Sequence, residues 1–124
     1  IEEGAAVAVT GYGCYAEYLA VSSKTVVPLP SADPAFIPLM VSGLTASISL
    51  EQVGQMTSGE TVLVTAAAGS TGQFAVQLAK QAGNHVIGTC SSDAKGDFLR
   101  SIGCDRVVNY KKEDLRSVLK TEYP

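Results

Sequence analysis

Thr61-Val62-Leu63-Val64-Thr65, then Ala67-Ala68-Gly69-Ser70-Thr71-Gly72, then Phe74, Val76, Leu78 and Ala79 ahead of Gly83, is the stretch that decides how this 124-residue chain is read. The β-branched run predicts a short strand, the small residues a tight corner, and the spaced apolar residues a helix capped by Gly83. The corner matches G-x-G-x-x-G with Ala67 in place of the first glycine. Gly69 is expected to let a pyrophosphate approach the backbone, and Gly72 to let the helix pack closely on the strand. The free N–H groups at a helix start favour an anion, and Ser70 and Thr71 add hydroxyls. Small residues at such a corner also serve plain close packing, so the corner acquires meaning only from what surrounds it.

Downstream, the unit repeats. His85-Val86-Ile87-Gly88-Thr89-Cys90 reads as a second strand, residues 94–102 as a helix closed by Gly103, Arg106-Val107-Val108-Asn109 as a third strand, and residues 113–119 as the start of another helix. Strands alternating with helices imply right-handed crossovers and a parallel sheet, hence an α/β fold. Three such strands are half of the six in a complete dinucleotide fold, so the chain is expected to be a fragment of something longer, as the absence of Met at Ile1 also suggests.

Upstream, residues 5–9, 15–21 and 25–28 read as short strands, with Gly11 and Gly13 supplying a turn. Ser31 and Asp33 are potential caps, Pro34 suits a first helical turn, and Ile37, Leu39, Met40, Leu44, Ile48 and Leu50 recur at helical spacing, predicting a short helix followed by a longer buried one. The uncharged runs 34–50 and 61–79 are interrupted by Gly, Ser and Thr, so neither is expected to cross a membrane. A hydrophobic content of 46%, 17% charged residues and a net charge of −3 set aside disordered and fibrous classes and give no reason to expect nucleic acid or an acidic membrane surface as a partner. The three cysteines, Cys14, Cys90 and Cys104, are too far apart in sequence for a C-x-x-C site and odd in number, which favours a reducing compartment and a reading as small core residues.

The end of the second strand bears on which nucleotide the corner would take. Versions that bind NAD place an acid there to accept from the ribose 2′-hydroxyl. This chain has Ser91 and Ser92, with Lys95 close behind, which favours the 2′-phosphate of NADP(H). Asp93 follows closely enough to face the ribose instead, and the serines and Lys95 have ordinary uses as a helix cap and a solvated side chain.

Gly43-Leu44-Thr45-Ala46, Glu60-Thr61-Val62-Leu63-Val64, the 67–72 corner, Lys95 and Val108-Asn109-Tyr110 together resemble the medium-chain dehydrogenase/reductase superfamily, and within it the quinone oxidoreductase-like branch. The resemblance spans the chain. It implies the closing strands of a GroES-like catalytic domain over residues 1–30, where Gly13-Cys14-Tyr15-Ala16-Glu17-Tyr18 stands for the frequent G-x-Y-A-E-Y phrase. It further implies interdomain helices over 31–60 and the first half of an NADP-binding Rossmann domain over 61–124. Carried over residue by residue, it implies that Thr71, Ser91, Lys95 and Tyr110 contact the cofactor, the last three around the 2′-phosphate, and that Thr45 lies near the nicotinamide.

Zinc-dependent members of the superfamily place a Cys ligand four residues before the threonine matching Thr45; here that residue is Val41, and the lone His85 has no partner at ligand spacing, so no metal is expected. The resemblance therefore implies hydride delivery to the activated C=C bond of an α,β-unsaturated ketone, such as a 15-keto prostaglandin, or to a quinone. Two alternatives stay open: an NADPH-binding protein without useful turnover, and an enoyl-reductase module of a larger synthase. No catalytic acid or base stands out, Tyr12, Tyr15 and Tyr18 being candidates by type alone. The expected setting is cytoplasmic or peroxisomal, with a small enone or quinone as substrate and a second copy of the chain as the one macromolecular partner left open.

Overall fold

A strand persists only where its N–H and C=O groups find a partner strand, and the computed structural model, which describes residues 1–124, shows which of the sequence's β-type runs do. Two compact units result, Ile1–Val41 and Ser42–Pro124. In the first, β1 (Val7–Val9) pairs antiparallel with β2 (Val26–Pro28), with Val7 opposite Pro28 and Val9 opposite Val26. The expected strand over residues 15–21 does not form: it has no partner to complete its ladder, and Tyr12, Tyr15 and Tyr18 stand in solvent. Cys14 is exposed as well, so the core reading holds for Cys90 and Cys104 but not for it.

Asp33 caps a single 3-10 turn, Pro34–Phe36, by accepting from the Ala35 N–H at 2.8 Å. Helical turns then run on through Leu39–Gly43, α1 (Leu44–Ser47) and Ile48–Val53, the flanking pieces having the wider π spacing. The expected long helix is thus present but not buried. Only Gly43 and Ala46 are fully buried, α1 packing on α2, and Leu50 is half-buried against the core, whereas Ile37, Leu39, Leu44 and Ile48 are exposed. By length and composition the twenty residues Pro34–Val53 suffice to cross a membrane, because the Gly and Ser residues that interrupt the run do not break the helix. The same test is passed by core helices of soluble proteins.

In the second unit, β3 (Thr61–Val64), β4 (His85–Cys90) and β5 (Arg106–Asn109) form a parallel sheet in that order, Thr61 level with His85 and Ile87 level with Arg106. Alternate residues go to opposite faces. Val86, Cys90 and Val107 pack with Val76 and Ala79 of α2 (Ser70–Gln81) and Leu99 of α3 (Asp93–Ser101). Ile87 and Val108 meet Val118, Leu115 and Leu119 of α4 (Leu115–Glu122) on the other. Gly83 and Gly103 follow α2 and α3 with φ of 85° and 100°, the left-handed closure the sequence predicts. Helix α4 starts at Leu115 rather than 113 because Asp114 is its cap, accepting from the Ser117 N–H at 2.8 Å.

Helix α4 is also tied down electrostatically. All five N–H donors of Arg106 are used: they reach both carboxylate oxygens of Glu122 at 2.7 and 2.8 Å, both of Glu113 at 2.8 and 3.3 Å, and the Val107 carbonyl at 2.7 Å. The guanidinium holds both carboxyls below the usual carboxylate range.

Helix α2 sits very close to the corner after β3. A Cβ on Gly72 would lie 2.6 Å from the Ala66 carbonyl oxygen and 2.7 Å from the Cα and carbonyl oxygen of Ala67, all backbone atoms that cannot turn aside. Gly72→Ala is expected to lower stability by about 3 kcal/mol, the upper range for overpacking, measured by urea denaturation of the full chain. Glu113 and Glu122 titrate lower folded than unfolded, so their stabilisation is fully present above about pH 4.3 and is lost as pH falls through the folded values. Arg106→Met should flatten that acid-side loss; an unchanged pH profile would remove the network from the account of stability.

Candidate functional site at the corner after the first parallel strand

The corner is built by three backbone hydrogen bonds and one hydroxyl. The Gly69 N–H donates to the Ala66 carbonyl at 2.9 Å, closing the turn, and the Gln73 N–H donates to the Gly69 carbonyl at 3.0 Å, opening α2. Gly69 caps the helix in an extended conformation with no side-chain bond. The N–H groups of Ser70, Thr71 and Gly72 lie in the first turn and so have no intrahelical acceptor; they stand at the positive end of the helix. Thr89 of β4 fixes the other side of the corner, its Oγ1 accepting from the Ala66 N–H at 3.0 Å and its carbonyl from the Ala67 N–H at 3.0 Å.

Thr89 and Ala66 are the residues that sequence reasoning passes over. Thr89 reads as an ordinary β-branched strand residue, yet it is buried and its hydroxyl is committed to the corner. Ala66 adopts a φ of 49°, which alanine visits rarely, so nothing in its type signals the turn. Gly69 proves less constrained than Gly72: a Cβ there would meet only the Ala66 carbonyl oxygen, at 3.2 Å.

Two recesses flank the corner and share Ala66 and Gly69. The smaller, about 140 Å³, brings together Gly69, Thr89, Ser91, Lys95 and Tyr110. The larger, about 420 Å³, holds Thr71 and Gly72, with Ala46 of α1 on its wall. Thr45 lines neither and is exposed, since Ala46 takes the inward position. Thus Ser91, Lys95 and Tyr110, separated by up to nineteen positions in the sequence, converge next to Gly69, while Thr71 and Gly72 occupy the opposite flank of the same turn.

The ends of β4 and β5 produce this convergence. The Tyr110 N–H donates to the Cys90 carbonyl at 3.1 Å, setting Tyr110 beside Ser91. Ser92 caps α3, its Oγ accepting from the Lys95 N–H at 3.4 Å, so of the two serines it is Ser91 that faces the recess. Lys95 takes part in no ion pair, and no acidic residue lines the small recess. Asp93 is bound instead by Asn109 and Lys112 and lines a separate recess beyond α3.

Elsewhere, His85 is engaged by the Tyr123 hydroxyl at 2.7 Å, and no three His, Cys, Asp or Glu side chains gather closely enough to hold a metal ion. Burial pushes the Cys104 thiol pKa up, as expected of a packed core residue.

The chain is similar to known proteins both in sequence and in fold. The sequence profile of the zinc-binding dehydrogenase family matches residues 70–124. The chain is 56% identical to prostaglandin reductase-3 of Mus musculus over 98% of its own length and 32% of that protein's. It is 50% identical to a probable quinone oxidoreductase of Leishmania amazonensis over 93% of this chain and 34% of that one. Among solved structures it is similar to the quinone oxidoreductase of Thermus thermophilus, determined also in complex with NADPH, at a TM-score of 0.83 and 32% identity, covering 98% of this chain and 41% of that one. The chain spans about a third of the length of the curated relatives it matches. The parallel three-stranded sheet, the glycine corner and these relatives place the chain in the medium-chain dehydrogenase/reductase superfamily, in its quinone oxidoreductase-like branch.

Proposed function

We propose that residues 42–124 supply the diphosphate and 2′-phosphate subsites of an NADPH-dependent reductase acting on the activated C=C bond of α,β-unsaturated ketones, 15-keto prostaglandin-like enones among them, or on quinones. The observation that carries this reading is the small recess, where an unpaired ammonium, a hydroxyl and a phenol meet with no carboxylate among them. That donor set suits a phosphate monoester and is poorly suited to a ribose 2′-hydroxyl, which pairs best with an acid. The relatives support it by name, being a prostaglandin reductase, a probable quinone oxidoreductase and a quinone oxidoreductase solved with NADPH.

The residues present fit such a cofactor at both ends. The unpaired N–H groups of Ser70, Thr71 and Gly72 would receive the diphosphate across a corner that Gly69 keeps free of side chain, while Lys95, Ser91 and Tyr110 would hold the 2′-phosphate. Bound there, the dinucleotide would supply the hydride. The protein's task over these residues is orientation: Thr89 fixes the corner, and the Tyr110 backbone bond to Cys90 fixes the phosphate end relative to it. The reaction is proposed to be independent of zinc, supported by Val41 in the position where zinc-dependent members of the superfamily have a cysteine ligand.

Lys95→Ala is expected to weaken NADPH binding by about tenfold or more, with NADH changed by less than about twofold, because only the 2′-phosphate differs between them and a charge-assisted bond is lost. Tyr110→Phe should act in the same direction with a smaller effect. Fluorescence titration of both cofactors on the full chain measures this, and equal losses for the two would refute the assignment. Consumption of NADPH with an enone and quinone panel then separates a reductase from a protein that binds the cofactor without turning it over.

A further inference from the structure

Between Thr89 and Gly96 there is one acidic residue, Asp93, placed two positions after Ser91 and two before Lys95 in the first turn of α3. A carboxylate at this corner is the group that would accept from a 2′-hydroxyl and repel a 2′-phosphate. Yet each oxygen already has a partner, although the side chain is exposed. Oδ1 accepts from the Asn109 Nδ2 at 3.0 Å, and Oδ2 receives the Lys112 Nζ at 2.5 Å.

Asn109 ends β5 and Lys112 lies in the turn that leaves it. Asn109 is buried and its own side chain is oriented by the Lys111 N–H, which donates to its Oδ1 at 3.2 Å. The Asn109 carbonyl accepts from the N–H groups of Lys112 and Glu113 at 2.8 and 2.9 Å, folding the turn back so that the Lys112 ammonium meets Asp93. The carboxylate therefore faces the recess beyond α3, with Arg100 and Glu113, and not the one holding Ser91, Lys95 and Tyr110. Lys112 also holds its pKa below the usual range, so it stays charged near neutral pH and its direction matters.

We propose that Asn109 and Lys112 form a clamp that keeps the Asp93 carboxylate turned away from the phosphate recess, and that this clamp sets the preference for a 2′-phosphorylated nucleotide over one with a free 2′-hydroxyl. The inference rests on the reading of the recess given above. Asn109 and Lys112 act here as positioning residues, through Asp93, and touch no part of the nucleotide.

The test uses Lys112→Met, an exposed change that spares the buried Asn109, in fluorescence titrations of NADPH and NADH on the full chain. Released, Asp93 is expected to reduce the ratio of NADPH to NADH affinity by about fivefold, the scale of one partly screened charge interaction, mostly by weakening NADPH. Lys112→Met combined with Asp93→Asn should restore the ratio. No change in the ratio overturns the clamp, as does equal weakening of both cofactors, which would mark a structural effect. Failure of Asp93→Asn to restore it overturns the clamp too, since Lys112 would then act on the phosphate directly. Lys95→Ala titrated alongside tells the two readings apart: a preference that survives Lys95→Ala removes the phosphate recess and the clamp together, whereas one that collapses in Lys95→Ala and survives Lys112→Met removes the clamp alone.

Discussion

Space for no atom larger than hydrogen at Gly72 is the constraint on which the second unit depends. With 2.6 to 2.7 Å between an added Cβ and the backbone of Ala66 and Ala67, helix α2 can start where it does only over a glycine. That seating brings the helix's unpaired N–H groups level with the corner and drives Val76 and Ala79 onto the sheet, where both are fully buried. Corner, core and anion-favouring helix end are thus three results of one close approach.

The remaining geometry is passed from strand to strand. Thr89 carries the position of the corner to β4, and the Tyr110 N–H carries the end of β4 to β5. Charge follows the same plan. Arg106, Lys80, Arg100 and Lys112 are each neutralised by a carboxylate, and Asp105, besides pairing with Lys80, accepts from the Val86 N–H at 2.8 Å. In a chain of net charge −3, an ammonium without a partner at the small recess leaves local positive character where an anion would be received.

Much of the second unit was legible in the residues because local signals and tertiary need agree there. The run 61–64, the strand at 85–90, the glycines after α2 and α3 and the strand at 106–109 each carry the pattern their burial requires. Residues 15–21 misled because alternation marks a strand only when a partner exists, and none lies within residues 1–41. The helix over 39–53 is apolar as a buried helix would be, but burial depends on neighbours, which periodicity cannot supply. Of the residues lining the small recess, Gly69, Ser91 and Lys95 stand out by spacing, and Tyr110 by resemblance alone. The roles of Thr89 and Ala66 were hidden, because a buried hydroxyl bond and a left-handed alanine leave no mark in residue type.

The double use of Thr89 has a consequence for how such a site can diverge. Because one residue's hydroxyl and carbonyl grip the corner after β3, while Ser91 follows it by two positions, just past the end of the same strand, both flanks of the turn are mounted on one rigid ruler. A shift of backbone in β4 would move both together, so neither can be retuned by sliding the strand. Change of nucleotide taste is left to side chains projecting from the short stretch between Ser91 and Lys95 and from the turn after β5. Apart from Ser92, which caps α3, these positions are exposed or half exposed, and substitution there costs the fold little. The scaffold is thereby conservative in its frame and permissive at its rim.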